Sequence, residues 1–335
     1  DGMLHCFYPG KVKEYDSPGG EAILNDANSK YEPGEEVWSF VPKNSLPYLK
    51  YLAYPGYEDC HIYYVDQRPK LVDASIGAGS KVEREKKHWR TILIGQMRFG
   101  GCAENPPISN STGDVGRSSV FALDVTEPES PELLWEFTDP DLGFTTSSPA
   151  IVRTGGKNET GKWHVVIGSG PKDYTGDDFP SEGHIFAINL RNGNRDMKKS
   201  LVSDLGSDVG SDVYLGDLQA IDADQDYVSE AVYGGTVQDN NPYGGKMLRI
   251  LTPGSDYTAG EWEVTTLADA DGPVTAPPEI ATDEAGNLWC YWGTGKFFGQ
   301  SDQTNEDLQH LYGVKDTAWQ PGDRKFTQDP GEVTN

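Results

Sequence analysis

Apolar residues fall along this chain in short runs that recur in a fixed order. "WRTILIG" (89–95), "WHVVIGSG" (163–170), "SEAVYGG" (229–235) and "LWCYWGTG" (288–295) each carry glycine at or near the end. Across a polar loop each is followed by an alternating stretch: "SSVFALDV" (118–125), "GHIFAINL" (183–190), "KMLRIL" (246–251) and "QHLYGVKD" (309–316). "ELLWEFTD" (132–139) and "EWEVTTL" (261–267) extend two of these units, while "RPKLVDASI" (68–76), "SSPAIV" (147–152), "VYLGDLQAI" (213–221) and "TAPPEIA" (275–281) precede the four in turn. Short β-branched and aromatic runs bounded by Gly, Pro, Asn and Asp predict strands. About four strands in roughly 60 to 70 residues make one unit, which predicts an all-β chain of β-propeller blades with long inter-strand loops. A lone four-stranded sheet leaves both faces wet, whereas sheets stacked radially cover one another.

The start departs from this rhythm. "DGMLHCFYP" and "EEVWSFVP" read as the third and fourth strands of a blade whose first half is absent. Residues 10–34 and 98–117 are polar insertions, too long for ordinary hairpins. The expected division is a propeller over 1–316 and a polar tail over 317–335. Trp89, Trp135, Trp163 and Trp262 recur at strand positions and are expected to fill space between blades. The chain opens without a signal peptide and reads as a mature fragment of something longer.

Composition narrows the partners. Lys+Arg 28 against Asp+Glu 53 gives a formal charge of −25, which repels nucleic acid and anionic membrane but suits divalent cations and basic surfaces. No apolar run is long enough for a transmembrane segment. Cys6, Cys60, Cys102 and Cys290 are far apart and form no CxxC pair, which argues against structural zinc and leaves disulfides and free thiols both open. No Ser/His/acid or Cys/His arrangement stands out, and the chain is expected not to be an enzyme, although two of its many carboxylates converging in a propeller channel stay open as an alternative.

One acidic run has a register of its own. In "IDADQDYVSEAV" (221–232) carboxylates stand at relative positions 1, 3, 5 and 9, immediately ahead of a strand. Calcium takes six to eight oxygens, so Asp222, Asp224 and Asp226 with their side chains, Val228 with its carbonyl and Glu230 are the candidate metal ligands. Four like charges this close repel each other, and a cation removes that cost. Tyr227 occupies the sixth position and Tyr233 the twelfth, which excludes an EF-hand. The loop "PKDYTGDDFPSEG" (171–183) is a weaker acidic candidate.

Taken together, "DGMLHCFYP", "HIYYVDQRPKLVDASI", "GRSSVFALDVTEPE", "LLWEFTDPDLGFTTSSPAIV", "VYLGDLQAIDADQDYVSEAVYGG" and "WGTGKFFG…LYGV" resemble, in order, the C-terminal β-propeller of PilC/PilY-type type IV pilus tip adhesins. The resemblance covers roughly residues 1–316. It implies a modified, seven-bladed propeller that follows a variable N-terminal region, which this sequence does not contain. It also implies calcium in the 222–230 loop, tied to pilus extension, retraction and twitching motility. The implied partners are minor pilins or other tip components and a host or abiotic surface. The implied location is exported, at the pilus tip or outer membrane, which favours disulfides. Two residues depart from the family pattern: Glu230 replaces its last aspartate and Tyr227 its usual glycine. The alternative is a quinoprotein dehydrogenase propeller using PQQ and calcium, but those sites use adjacent cysteines, which this chain lacks.

Overall fold

The computed structural model describes residues 2–11, 29–57, 61–110, 113–206, 209, 211–239, 243–252 and 262–327. Strand β1 (Leu4–Phe7) pairs antiparallel with β2 (Glu36–Phe40), and a 3-10 segment over Lys43–Ala53 follows. The first four-stranded sheet is built from β3 (Lys70–Ala74), β4 (Arg90–Gln96), β7 (Val120–Asp124) and β8 (Glu132–Phe137), with the hairpin β5 (Ile108–Asn110) and β6 (Gly113–Val115) inserted before β7. Strands β9 (Ala150–Thr154), β10 (Lys162–Gly168), β11 (His184–Asn189) and β12 (Arg195–Ser200) form the second sheet. After the short helix α1 (Leu201–Leu205), β13 (Val213–Ile221), β14 (Ala231–Gln238), β15 (Lys246–Leu251) and β16 (Glu263–Asp269) form the third. Strands β17 (Glu279–Thr282), β18 (Leu288–Gly293) and β19 (Leu311–Lys315) make a three-stranded fourth sheet, and β20 (Trp319–Gln320) pairs with β21 (Lys325–Phe326). Every pairing between these strands is antiparallel and joins neighbours in the sheet order.

Period-two alternation explains how the sheets stack. In β10, Val165 and Ile167 enter one core while Val166 enters another; in β11, Phe186 and Ile188 part from Ile185 and Ala187 in the same way. In β14, Val232 faces the second sheet, whereas Ala231 and Tyr233 face the fourth. Successive side chains on a strand point to opposite faces, so each inner sheet is apolar on both and cements two neighbours. Trp135 fills the gap between sheets one and two, its Nε1 donating to Leu190 O at 2.8 Å, and Trp262 fills the gap between two and three. Burying such rings contributes about 2–3 kcal/mol each.

The first strands of the sheets gather along one line. Strand β13 packs against β9, β10 and β17, with Ser147 Oγ donating to Gly216 O at 2.7 Å and Asp217 N to Thr275 O at 3.0 Å. A Cβ on Gly216 would lie 2.4 Å from Val274 O and 2.8 Å from Thr275 Cα, so only glycine fits this crossing. Among the described residues no sheet closes on itself. The stack runs from the β1–β2 pair, where Phe40 meets Phe121 at 5.0 Å between centroids, to the outer face of the fourth sheet, where Leu311 is 85% exposed.

Several segments outside the predicted strands carry structure. Charged β12 ("RDMKKS") is the outer strand of its sheet, with Met197 its one core residue. The 98–117 insertion contains the β5–β6 hairpin and is tied down by Tyr48 Oη donating to Gly116 O and Gly116 N donating to Asn44 Oδ1, both at 2.8 Å. Of the expected tail, Trp319 and Phe326 join the third core, and 328–335 lie outside the described residues. Most of the 10–34 insertion, residues 12–28, lies outside them too, as does Cys60, so the disulfide expectation falls partly there. Cys6 and Cys290 are thiols, on β1 and β18.

Candidate metal centre

The nine residues 222–230 connect β13 to β14, and the ladder pair Ile221–Ala231 closes their base. Glu230 N donates to Ile221 O at 3.1 Å, and Thr252 N to Glu230 O at 3.0 Å, which anchors the end of the loop on β15's edge. Within the loop, both oxygens of Asp222 accept backbone N–H groups, from Asp226 at 3.0 Å and Tyr227 at 2.8 Å. Asp226 Oδ1 accepts from Val228 N at 2.9 Å, and Glu230 Oε2 from Ala223 N at 2.7 Å. Short acidic side chains that bond the backbone a few residues on wind the chain around themselves. Gln225 and Tyr227 adopt φ of 59° and 71°, the left-handed conformation the winding requires.

This winding turns the alternate carboxylates inward. Asp222, Asp224, Asp226 and Glu230, all half-buried, each offer a carboxylate oxygen, and these oxygens lie within 4.8 Å of one another. The predicted side-chain ligands are thus brought together. Val228 is buried in the same loop. Asp224 Oδ1 is shielded from solvent without a hydrogen-bond partner among the described residues. A buried oxygen in that condition is costly unless something fills its place. Burial, reinforced by the three aspartates, pushes the Glu230 carboxyl up to about 8 despite the Ala223 N–H. Desolvation and the charges of Asp226 and Asp222 raise Asp224 as well. An all-oxygen, anionic set of this density fits a hard divalent cation and not a soft metal.

Three arginines attend the loop, none of them visible in its local pattern. Buried Arg153 of β9 donates through Nη1 to Tyr227 O at 2.7 Å. The Arg84 guanidinium lies 4.7 Å from the centroid of the Tyr227 ring, and Arg324, between β20 and β21, donates through Nη2 to Asp224 O. The one sequence signal was an arginine in the otherwise uncharged strand "AIVRT".

The other acidic loop is chemically spent. Asp173 accepts from the N–H groups of Asp177 and Asp178 and from Thr175 Oγ1, while Asp177 pairs with the buried Lys296 at 2.7 Å and accepts from Tyr243 Oη at 3.0 Å. Cys6, Cys102 and Cys290 sit in three separate parts of the fold, and nothing supports the quinoprotein alternative.

Comparison with known proteins bears on the whole chain. No helix among the described residues is long and apolar enough to cross a membrane. A "type IV pilus biogenesis factor PilY1 homolog" of Xylella fastidiosa (strain Temecula1) is 29% identical over 305 residues, covering 86% of this chain and 18% of that protein. The "type IV pilus biogenesis factor PilY1" of Pseudomonas aeruginosa (strain UCBPP-PA14) is 28% identical over 327 residues, covering 88% and 25%. The chain therefore spans about a fifth to a quarter of the length of these relatives. The crystal structure of the Pseudomonas aeruginosa PilY1 C-terminal domain superposes with a TM-score of 0.62 at 21% identity, over 100% of this chain and 58% of that one, and shares its fold. The family model described as "PilY1 beta-propeller domain" matches residues 1–330, and the chain belongs to that family.

Proposed function

We propose that this chain is a calcium-binding, non-enzymatic part of a type IV pilus biogenesis factor, its sheets an arc of a seven-bladed ring. The observation that carries the metal reading is the convergence of four carboxylates on one wound loop around a buried, partnerless Asp224 oxygen. Asp222, Asp224, Asp226 and Glu230 supply side-chain oxygens and Val228 its carbonyl; waters complete the six to eight that calcium takes. Magnesium suits the site less well, since it keeps several waters and uses few carboxylates. The pilus reading rests on family membership and on the names its relatives carry. It places the protein outside the cell, at the pilus tip or outer membrane, among minor pilins or other tip components. Its task there is surface attachment and calcium-regulated extension and retraction, hence twitching.

The test has two arms. Calcium titrated into chelator-treated protein is expected to give one saturable site, abolished in Asp222→Ala/Asp224→Ala. No heat and no shift in melting temperature in the wild type would sink the metal reading. Twitching and surface attachment of a strain carrying the same pair separate a regulatory site from a purely structural one. Unchanged motility with calcium binding lost would refute the regulatory part.

A further inference from the structure

The connections between first and second strands lie side by side at one end of the stack, because consecutive sheets repeat one topology. Three of them are joined by named bonds. Residue 153 is the centre: the buried Arg153 guanidinium donates to Gly156 O at 2.8 Å, Glu159 O at 2.6 Å and Thr160 O at 3.3 Å in its own β9–β10 connection, and to Tyr227 O at 2.7 Å in the acidic loop. Its backbone repeats the link, since Ser229 N donates to Arg153 O at 2.8 Å and Arg153 N to Ser229 Oγ at 3.2 Å.

On the other side the β9–β10 connection is stitched to the β3–β4 connection. Thr160 N donates to Val82 O at 2.8 Å, Gly161 N to Ser80 O at 2.9 Å and Arg84 N to Asn158 O at 2.9 Å. Arg84 then returns to the acidic loop by stacking on Tyr227, which closes a triangle between three sheets. Tyr227 is the residue both arginines touch, by its carbonyl and by its ring. A tyrosine at φ 71° is strained by roughly 1–2 kcal/mol where glycine is not. The two cross-sheet contacts offset that strain.

We infer that Arg153 is a positioning residue for the acidic loop. With Tyr227 and Arg84 it makes residues 79–84, 156–161 and 222–230 one cooperative unit, so that a cation held in the loop of the third sheet stiffens loops of the first and second. The guanidinium acts through the Tyr227 carbonyl, and it does so with three nitrogen donors in a fixed fork. Lysine keeps the charge but cannot hold Tyr227 O, Gly156 O and Glu159 O in that geometry. Only the metal-dependent part of this inference rests on the calcium reading above.

Hydrogen exchange of the whole chain, first metal-free and then with calcium, tests it. In metal-free wild type the amides of Arg84, Thr160, Tyr227 and Val228 are expected to exchange through one shared opening. In Arg153→Lys the Tyr227 and Val228 amides exchange about tenfold faster, while β14 and β15 amides keep wild-type protection and show that the fold is intact. In Tyr227→Gly the Arg84 ring contact goes while 79–84 stays stitched to 156–161 and the Arg153 bond to the main chain stays, so the Arg84 amide is expected to keep exchanging together with that of Thr160. Calcium is expected to raise protection in all three segments of the wild type but only in 222–230 of Arg153→Lys, with affinity about tenfold lower. Independent exchange of the three segments in wild type, or an Arg153→Lys variant with wild-type exchange and affinity, overturns the inference. Shared opening in a protein that gives no calcium heat leaves the inference standing and sinks the calcium reading alone.

Discussion

Asp316 is the residue whose removal should hurt the stack most. It follows β19, is buried with its side chain at 0% exposure, and faces Arg249 of β15, likewise at 0%. Its Oδ1 accepts from Arg249 Nη1 at 2.7 Å and from Ala318 N at 2.9 Å, and its Oδ2 from Tyr233 Oη at 2.7 Å. The network spans the third and fourth sheets at the core that holds Tyr233, Cys290, Trp292 and Trp319. Truncating the carboxylate in Asp316→Ala removes the acceptor that the Arg249 guanidinium, the Tyr233 hydroxyl and the Ala318 amide share. Removing one partner of a buried pair costs about 3–5 kcal/mol. Removing Tyr233's hydroxyl in Tyr233→Phe takes away a single donor to a charged acceptor and should cost about 1.5–3 kcal/mol. The Arg249→Met/Asp316→Ala double variant is expected to lose well under the sum of its singles, because each single already breaks the contact the two residues share. Urea unfolding followed by both tryptophan fluorescence and far-UV ellipticity reads these losses as midpoint shifts at constant slope. An Asp316→Ala loss under about 1 kcal/mol, or strict additivity in the cycle, refutes the idea that this network locks the two sheets.

Three further predictions concern the close crossing at Gly216 and the acidic loop. Gly216→Ala pushes a methyl into the backbone of Val274 and Thr275 and should destabilise by about 2 kcal/mol or more, while Gly322→Ala, which meets nothing within 4 Å, stays within about 0.5 kcal/mol; equal melting temperatures for the two would contradict the close crossing. Glu230, held at about 8 without metal, is protonated in about nine of ten molecules at pH 7 and must ionise to ligate. Calcium binding at pH 7 should therefore release close to one proton, and affinity should rise up to about tenfold between pH 6 and 7 and level off above 8. Titrations in Pipes and in Tris, which differ in ionisation enthalpy, count that proton, and Glu230→Gln should abolish the count; identical heats in both buffers would rule the linkage out. The sign for stability is opposite: a carboxyl raised in the fold favours folding fully below its unfolded value of about 4.5. The metal-free protein should therefore lose that contribution as pH climbs through about 8.

What the sequence made legible follows from where the constraint is local. Strands such as "KMLRIL" and "VYLGDLQAI" are readable to the residue because most of their positions are buried and apolar, with Lys246, Arg249, Asp217 and Gln219 the exceptions. Strand β12 hides because it is outermost: only Met197 enters a core, and Arg195, Lys198 and Lys199 answer to water and to acids of neighbouring segments. The 1-3-5-9 register was readable for the same local reason, since the winding that gathers the carboxylates is made by hydrogen bonds spanning two to seven residues. What holds that winding against the molecule was not, because Arg84, Arg153 and Arg324 arrive from 143, 74 and 100 positions away along the chain. Tyr227 shows the limit most sharply. By local rules it is the wrong residue for φ 71°, a defect in an otherwise orderly loop. Its ring and carbonyl are instead where two other sheets take hold, so a position that local propensity marks as a flaw is the one that ties the site to the rest of the stack.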